Sequence, residues 1–144
     1  MGRIASILER RKPVVHQFDP DQTVADAVTA MAQTQVGAVP IMDGTRLVGI
    51  FSERDLLRRV IAKARSIEKT RLREVMTPDP ITAVPDEDRQ SAIQKMRQVG
   101  CRHLPIVVDG QVRDMLSMRD LLFVELAERN NEIKELRDYI HGSY

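Results

Sequence analysis

Met31–Pro40 reads MAQTQVGAVP and Met96–Pro105 reads MRQVGCRHLP. The two stretches align at an offset of 65 residues, from Met31 with Met96 to Pro40 with Pro105, and the match runs from Ala27/Ala92 through Ile41/Ile106. It resumes at Phe51/Leu116, Ser52/Ser117, Asp55/Asp120, Leu56/Leu121 and Leu57/Leu122, and only the intervening turn drifts, with Asp43-Gly44 against Asp109-Gly110. One motif is therefore written twice, and such self-similarity governs the reading of the whole fold.

Each copy carries the same order of elements. An apolar strand comes first, at Val14–Phe18 and again at Ile81–Val84. A helix follows, because Val24, Ala27, Val28 and Met31 recur at helical spacing on one face and Ala92, Ile93 and Met96 repeat it. Two short β-rich runs then flank an Asp-Gly pair, the strongest short-range hairpin signal; they are Val39–Met42 with Leu47–Phe51, and Leu104–Val108 with Val112–Leu116. A second helix opens at Ser52 or Ser117. The expected fold is α/β (α+β in layering), two β-α-β-β-α units paired about a pseudo-two-fold, with a long C-terminal helix. Residues 1–70 are assigned to the first motif and its N-terminal segment, 71–123 to the second, and 124–144 to a helical extension. The basic run Lys63–Arg73 between the copies reads as a solvated linker in preference to a phosphate-contacting arm.

Composition narrows the function. The 144 residues carry 22 Lys and Arg against 21 Asp and Glu, and 3% are aromatic. That balance gives no electrostatic or stacking basis for binding nucleic acid. No apolar run approaches a membrane span, and Met1–Arg11 does not read as a signal peptide, so a cytoplasmic, soluble protein without a membrane partner is expected. Enzymatic signatures fail as well. Gly44–Gly49 has the glycine spacing of a phosphate loop, but Ile50 and Phe51 stand where Lys and Ser or Thr are required. His16, His103 and His141 lack metal-ligand spacing. Cys101 has no identifiable base and reads as a small buried residue. No catalytic residue and no metal site are expected.

With these motifs in view, the chain resembles the cystathionine-β-synthase (CBS) domain family, as a stand-alone tandem pair. The resemblance rests on Gly37-Ala38-Val39-Pro40 followed by Leu47–Asp55, on Val75-Met76-Thr77-Pro78 opening the second copy, and on Arg102-His103-Leu104-Pro105 with Ser117-Met118-Arg119-Asp120. It implies clefts between the copies where adenine nucleotides such as AMP, ATP or NAD(H) bind, no required cofactor, and regulation of a partner protein not identified by the sequence. The residues it assigns to nucleotide binding are Gly37, Ala38, Val39, Pro40, Ser52, Arg54, Asp55, Thr77 and Ile81. From the second copy it adds Arg102, His103, Leu104, Pro105, Ser117, Arg119 and Asp120.

Each element of that site has a second reading. Ser52-x-x-Asp55 and Ser117-x-x-Asp120 open helices, so Ser can cap while the acid returns to its backbone N–H; alternatively the carboxylate takes both ribose hydroxyls, with the helix N-terminus favouring phosphate. Gly37–Pro40 and Arg102–Pro105 either wall an adenine ring or simply enter a strand with Pro at a sheet edge. Arg54, Arg58 and Arg59, like Arg102, His103 and Arg119, either neutralise phosphate or lie on the surface. Asp114 stands where the first copy has Gly49. Facing the second cleft it would repel polyphosphate; otherwise it points to solvent or pairs with Arg113 or Arg119. Leu122, Leu126, Ile133, Leu136 and Ile140, with Arg129 interrupting, alternate by four and three, the seam of a homodimer or a face laid on the chain's own module.

Overall fold

The computed structural model describes residues 2–12 and 15–141. A short helix α1 (Ala5–Leu8) leads into α2 (Val24–Thr34), where Thr23 and Asp26 form a reciprocal capping box. Strands β1 (Ala38–Asp43) and β2 (Arg46–Ser52) pair antiparallel, and α3 (Glu53–Asp55) continues as a π-helical stretch over Leu56–Ile61. Then come α4 (Leu72–Val75), β3 (Thr77–Pro78), α5 (Arg89–Val99), β4 (His103–Val108), β5 (Gln111–Ser117) and the long α6 (Met118–Ile140). One sheet runs β1-β2-β3 and the other β4-β5. The architecture is two similar β-α-β-β-α units packed together, extended by α6, as the sequence implies. In the second hairpin Asp109 and Gly110 both have positive φ, 51° and 78°, the backbone that a two-residue turn of matching twist requires. Both hairpins shift register at the same place, Ile41/Met42 and Ile106/Val107.

The expected leading strands are reduced to one parallel bridge each, Phe18 to Ile41 and Ala83 to Ile106; Val14, where the first was placed, lies outside the described residues. Each bridge keeps two backbone bonds: Phe18 N to Pro40 O (3.1 Å) with Met42 N to Phe18 O (2.7 Å), and Ala83 N to Pro105 O (3.0 Å) with Val107 N to Ala83 O (2.8 Å). Pro20 follows the first bridge while Pro80 and Pro85 flank the second, and a proline has no N–H to extend a ladder.

The core divides into two clusters, one per unit. Phe18, Val24, Ala27, Met31, Val39, Ile41, Phe51, Val60, Leu72 and Val75 form the first. Ile4, Ile7, Ala83, Ala92, Met96, Leu104, Ile106, Leu116 and Leu121 form the second. The leading helices are exchanged: α1, before the first copy, packs in the second core, while α4, before the second copy, packs in the first. Their backbone ties correspond. Ile4 N and Ala5 N donate to the carbonyls of Glu87 and Pro85, as Leu72 N and Arg73 N donate to those of Gln22 and Pro20. The basic stretch is accordingly no free linker. Its backbone is fastened to the start of α2 by Val24 N to Thr70 O (2.9 Å), while Arg65 pairs with Glu74, and Arg71 and Arg73 pair with Asp21, on the surface.

Arg89 is fully buried where the first copy has Val24. A buried guanidinium is tolerated only when its donors are matched. Nε donates to Glu125 (2.8 Å), Nη1 to Ser6 Oγ (2.6 Å) and Nη2 to Glu128. One side chain thus ties α1, α5 and α6 together. Beyond it α6 presents Leu122, Phe123, Leu126, Ile133, Leu136 and Ile140 to solvent.

Candidate functional site

Gly37 precedes β1 and His103 opens β4, and the two copies meet there so closely that a Cβ on Gly37 would lie 2.9 Å from His103 Nε2. Around this point opens a cleft of about 980 Å³, at the upper end of the size of small-molecule sites. The first copy supplies Gly37, Ala38, Val39 and Pro40 to its wall, and the second supplies Arg102, His103, Ser117, Arg119 and Asp120. Nine of the expected residues therefore share one cavity, drawn from both copies.

The other seven lie elsewhere. Ser52, Asp55 and Thr77 form their own hydrogen-bonded group: Asp55 Oδ2 accepts from Ser52 N (3.0 Å) and Ser52 Oγ (3.1 Å), and Oδ1 accepts from Thr77 Oγ1 (3.0 Å). Arg59 approaches the same Oδ1 at 3.6 Å. Asp55 is only 5% exposed. Arg54 crosses to the second unit and donates to the Gly100 carbonyl at 3.0 Å. Ile81 packs against the second core, and Leu104 and Pro105 are buried.

At the second copy the capping box is also complete, with Asp120 N donating to Ser117 Oγ (3.0 Å) and Ser117 N to Asp120 Oδ2 (2.8 Å). Capping does not consume this acid, since Oδ1 has no hydrogen-bond partner among the described residues and the side chain is 37% exposed on the cleft wall. Burial is the first cause holding the His103 imidazole below its ordinary pKa. Glu53 and Asp120 oppose that shift, while Arg102 and Arg54 reinforce it. Burial likewise pushes the Cys101 thiol up, the reverse of an activated nucleophile.

Asp114 faces this cleft and is 1% exposed. Its partner is neither Arg113 nor Arg119. Oδ1 accepts from Arg11 Nη2 at 3.0 Å and from its neighbour's backbone, Met115 N, at 2.7 Å, while Oδ2 has no partner among the described residues. Burial raises the Asp114 pKa against the opposing pull of Arg11. Arg11 Nη1 reaches Asp120 Oδ2 at 3.3 Å, so one guanidinium spans both acids. Sequence reasoning missed Arg11, along with Val15, Gln35, Val36, Glu53, Met115 and Met118, which also line the cleft. The signal for Arg11 was available: at offset 65 it stands opposite Met76. Leu122 and Leu126, read only as a helical seam, close one side together with Phe123.

A CBS domain family model matches residues 5–62 and 72–126. The chain belongs to the CBS domain family. Its two copies are a tandem CBS pair, the architecture of regulatory, non-catalytic modules. The mitochondrial CBS domain-containing protein CBSX3 of Arabidopsis thaliana is 35% identical over 129 residues, 86% of this chain and 63% of that protein. The chain spans 22% of a further Arabidopsis relative, CBSCBSPB5, at 34% identity. Bacillus subtilis YhcV is 28% identical over 88% of this chain and 90% of its own length. Among solved structures, a protein with CBS domains from Burkholderia ambifaria superposes with a TM-score of 0.82 at 29% identity, covering 88% of this chain and 95% of that one. A CBS domain protein from Pyrobaculum aerophilum, complexed with AMP, gives 0.73 at 27% identity over 88% and 99%. Among the described residues of the tandem CBS pair, no helix is long and apolar enough to cross a membrane, and no group of three or more His, Cys, Asp or Glu side chains could hold a metal ion.

Proposed function

We propose that this tandem CBS pair is a sensor of an adenine nucleotide, binding AMP, ATP or NAD(H) in the cleft between its copies and signalling to a partner protein through its shape or assembly. The observation that carries the reading is Asp120, a carboxylate fixed by its capping box at the cleft wall with one oxygen unpartnered among the described residues. The Gly37–Pro40 strand entry lines the same cleft with small side chains and backbone. A ribose diol donates two hydrogen bonds, which a fixed carboxylate accepts well, and a flat base fits a slot between short side chains. The AMP complex of the Pyrobaculum aerophilum relative supports the ligand class. Isothermal titration of ligand-stripped protein with AMP, ADP, ATP and NAD(H) tests it; absence of heat with all of them at millimolar concentration removes the reading.

The exposed apolar seam of α6 supports a homodimer as the form in which the module works. A purely structural module with an empty cleft is the rival reading, and it leaves unexplained why Asp120 keeps, at the cleft wall, a carboxylate oxygen without a partner among the described residues.

A further inference from the structure

Beside the main cleft lies a recess of about 230 Å³ that shares Arg11, Arg119, Asp120 and Phe123 with it and adds Arg10. We propose that Arg10, Arg11 and Arg119 make this recess the phosphate-binding arm of the Asp120 cleft, with Asp114 as the residue that positions Arg11. The proposal rests on the nucleotide reading above and states where the charged end of the ligand goes.

Three observations carry it. Neither Arg10 nor Arg119 has a carboxylate partner among the described residues, and both are exposed at the recess. Arg119 also belongs to the first turn of the 23-residue α6, where the helix dipole adds to its positive field. Asp120 sits at the junction of the two cavities, so a ribose held there directs its 5′ substituent toward one or the other.

Comparison between the copies shows that the arm is peculiar to the second cleft. By their backbone ties Ile4 corresponds to Leu72 and Ala5 to Arg73, whereas Arg11 corresponds to Met76 at offset 65. Leu8-Glu9-Arg10 is therefore an insertion of three residues that the first copy lacks. Where the second cleft has the Arg11–Asp114 ion pair, the first has Met76 packed over Gly49, and a Cβ on Gly49 would lie 2.5 Å from Met76 Sδ. Both members of the pair change together. Asp114 would repel phosphate as a bare carboxylate, but it is engaged in holding a guanidinium, and its partner's remaining donors are left for an anion. Nη2 is held on Asp114 Oδ1 at 3.0 Å, while Nη1 lies 3.3 Å from Asp120 Oδ2 and keeps a second N–H for an anion. A guanidinium held this way presents a preset fork to phosphate oxygens.

The test compares adenosine with AMP by isothermal titration, taking as the relevant site the binding that Asp120→Asn weakens. Wild type should bind AMP about tenfold or more tighter than adenosine, a margin of charge-assisted hydrogen bonds. Arg11→Met with Asp114→Gly, which installs the first copy's pair, should lose roughly tenfold more affinity for AMP than for adenosine. Its melting curve reports whether it folds. Arg119→Ala, at an exposed position, should narrow the same preference several-fold. An AMP preference unchanged in both variants overturns the arm and leaves the nucleotide reading standing; failure of adenosine and AMP alike to bind wild type overturns both.

Discussion

Thr77 Oγ1 donates to Asp55 Oδ1 at 3.0 Å, and with Ser52 on the other oxygen this completes the coordination of the first copy's acid. Asp120, its counterpart, has an oxygen to spare. The same substitution should therefore act chiefly on affinity in the second copy and on stability in the first. Asp120→Asn is expected to weaken AMP binding by about 1–3 kcal/mol, through loss of charged hydrogen bonds, with the smaller stability loss of a capping box alone. Asp55→Asn should cost about 1–2 kcal/mol of stability through its cap and buried network. Titration and urea denaturation of both variants decide it, and equal effects on affinity would show that the two acids are equivalent.

Arg89→Met should destabilise the protein by about 3–5 kcal/mol, because it strands the acids that the guanidinium satisfies. The loss should be read in urea as a lower midpoint with little change in slope. Arg89→Met combined with Glu125→Leu and Glu128→Leu removes the stranded charges and should recover much of it. A triple variant no better than the single one would mean that the packing of α1 against α6, and not charge, is what Arg89 provides.

His103 should make stability pH-dependent in a definite direction. Its folded pKa lies below the ordinary value of about 6.5, so in the window between them the unfolded chain binds more protons than the native one. Stability therefore rises with pH through that window, and His103's contribution is fully present above about 6.5 and lost as pH falls. Replacing His103 with Gln should flatten this slope in denaturation midpoints collected between pH 5 and 8. A midpoint falling equally in both proteins would assign the dependence to other groups.

The α6 seam runs Leu122, Leu126, Arg129, Ile133, Leu136 and Ile140 at spacings of four and three. Taken as a parallel pair of helices, it sets Glu132 of one copy beside Arg137 of the other. Leu136→Asp should give a monomer by light scattering. Arg137→Glu should weaken the dimer several-fold, and Glu132→Lys in the same chain should restore it, since flanking ion pairs are each worth a few tenths of a kcal/mol to about 1 kcal/mol. A wild-type mass of one chain at all concentrations would rule the seam out as a dimer contact.

Local chemistry made much of this molecule legible. The Asp-Gly hairpins, the buried faces of α2 and α5 and the Ser caps of α3 and α6 all follow from residues within a few positions of one another. The first strands did not follow, because their apolar runs carry no sign that proline neighbours would cut the pairing to one residue. Arg89 sat on an apolar face with nothing nearby to announce Glu125 and Glu128, 36 and 39 residues on. Of the candidate site, Asp120 and Gly37–Pro40 came from the resemblance to the CBS family, but Arg11 did not. It contacts Asp114 across 103 residues, and the only trace is that two positions differ from their counterparts in a matched way.

The exchange of α1 and α4 orders events on the ribosome. The α1 segment is made before the rest of the pair, yet its backbone partners, Pro85 and Glu87, and the core residues it covers through Leu121 emerge more than 75 residues later. By contrast, α4 meets its neighbours Pro20 and Gln22 as soon as it is synthesised. The first unit can thus close behind the growing chain while α1 waits, unpaired and apolar, for the start of α6. Closing a loop of that length adds only slowly to the entropic cost, but the contact cannot begin before its partners exist. Arg11 follows α1, so the second cleft should be the last part of the protein to take shape.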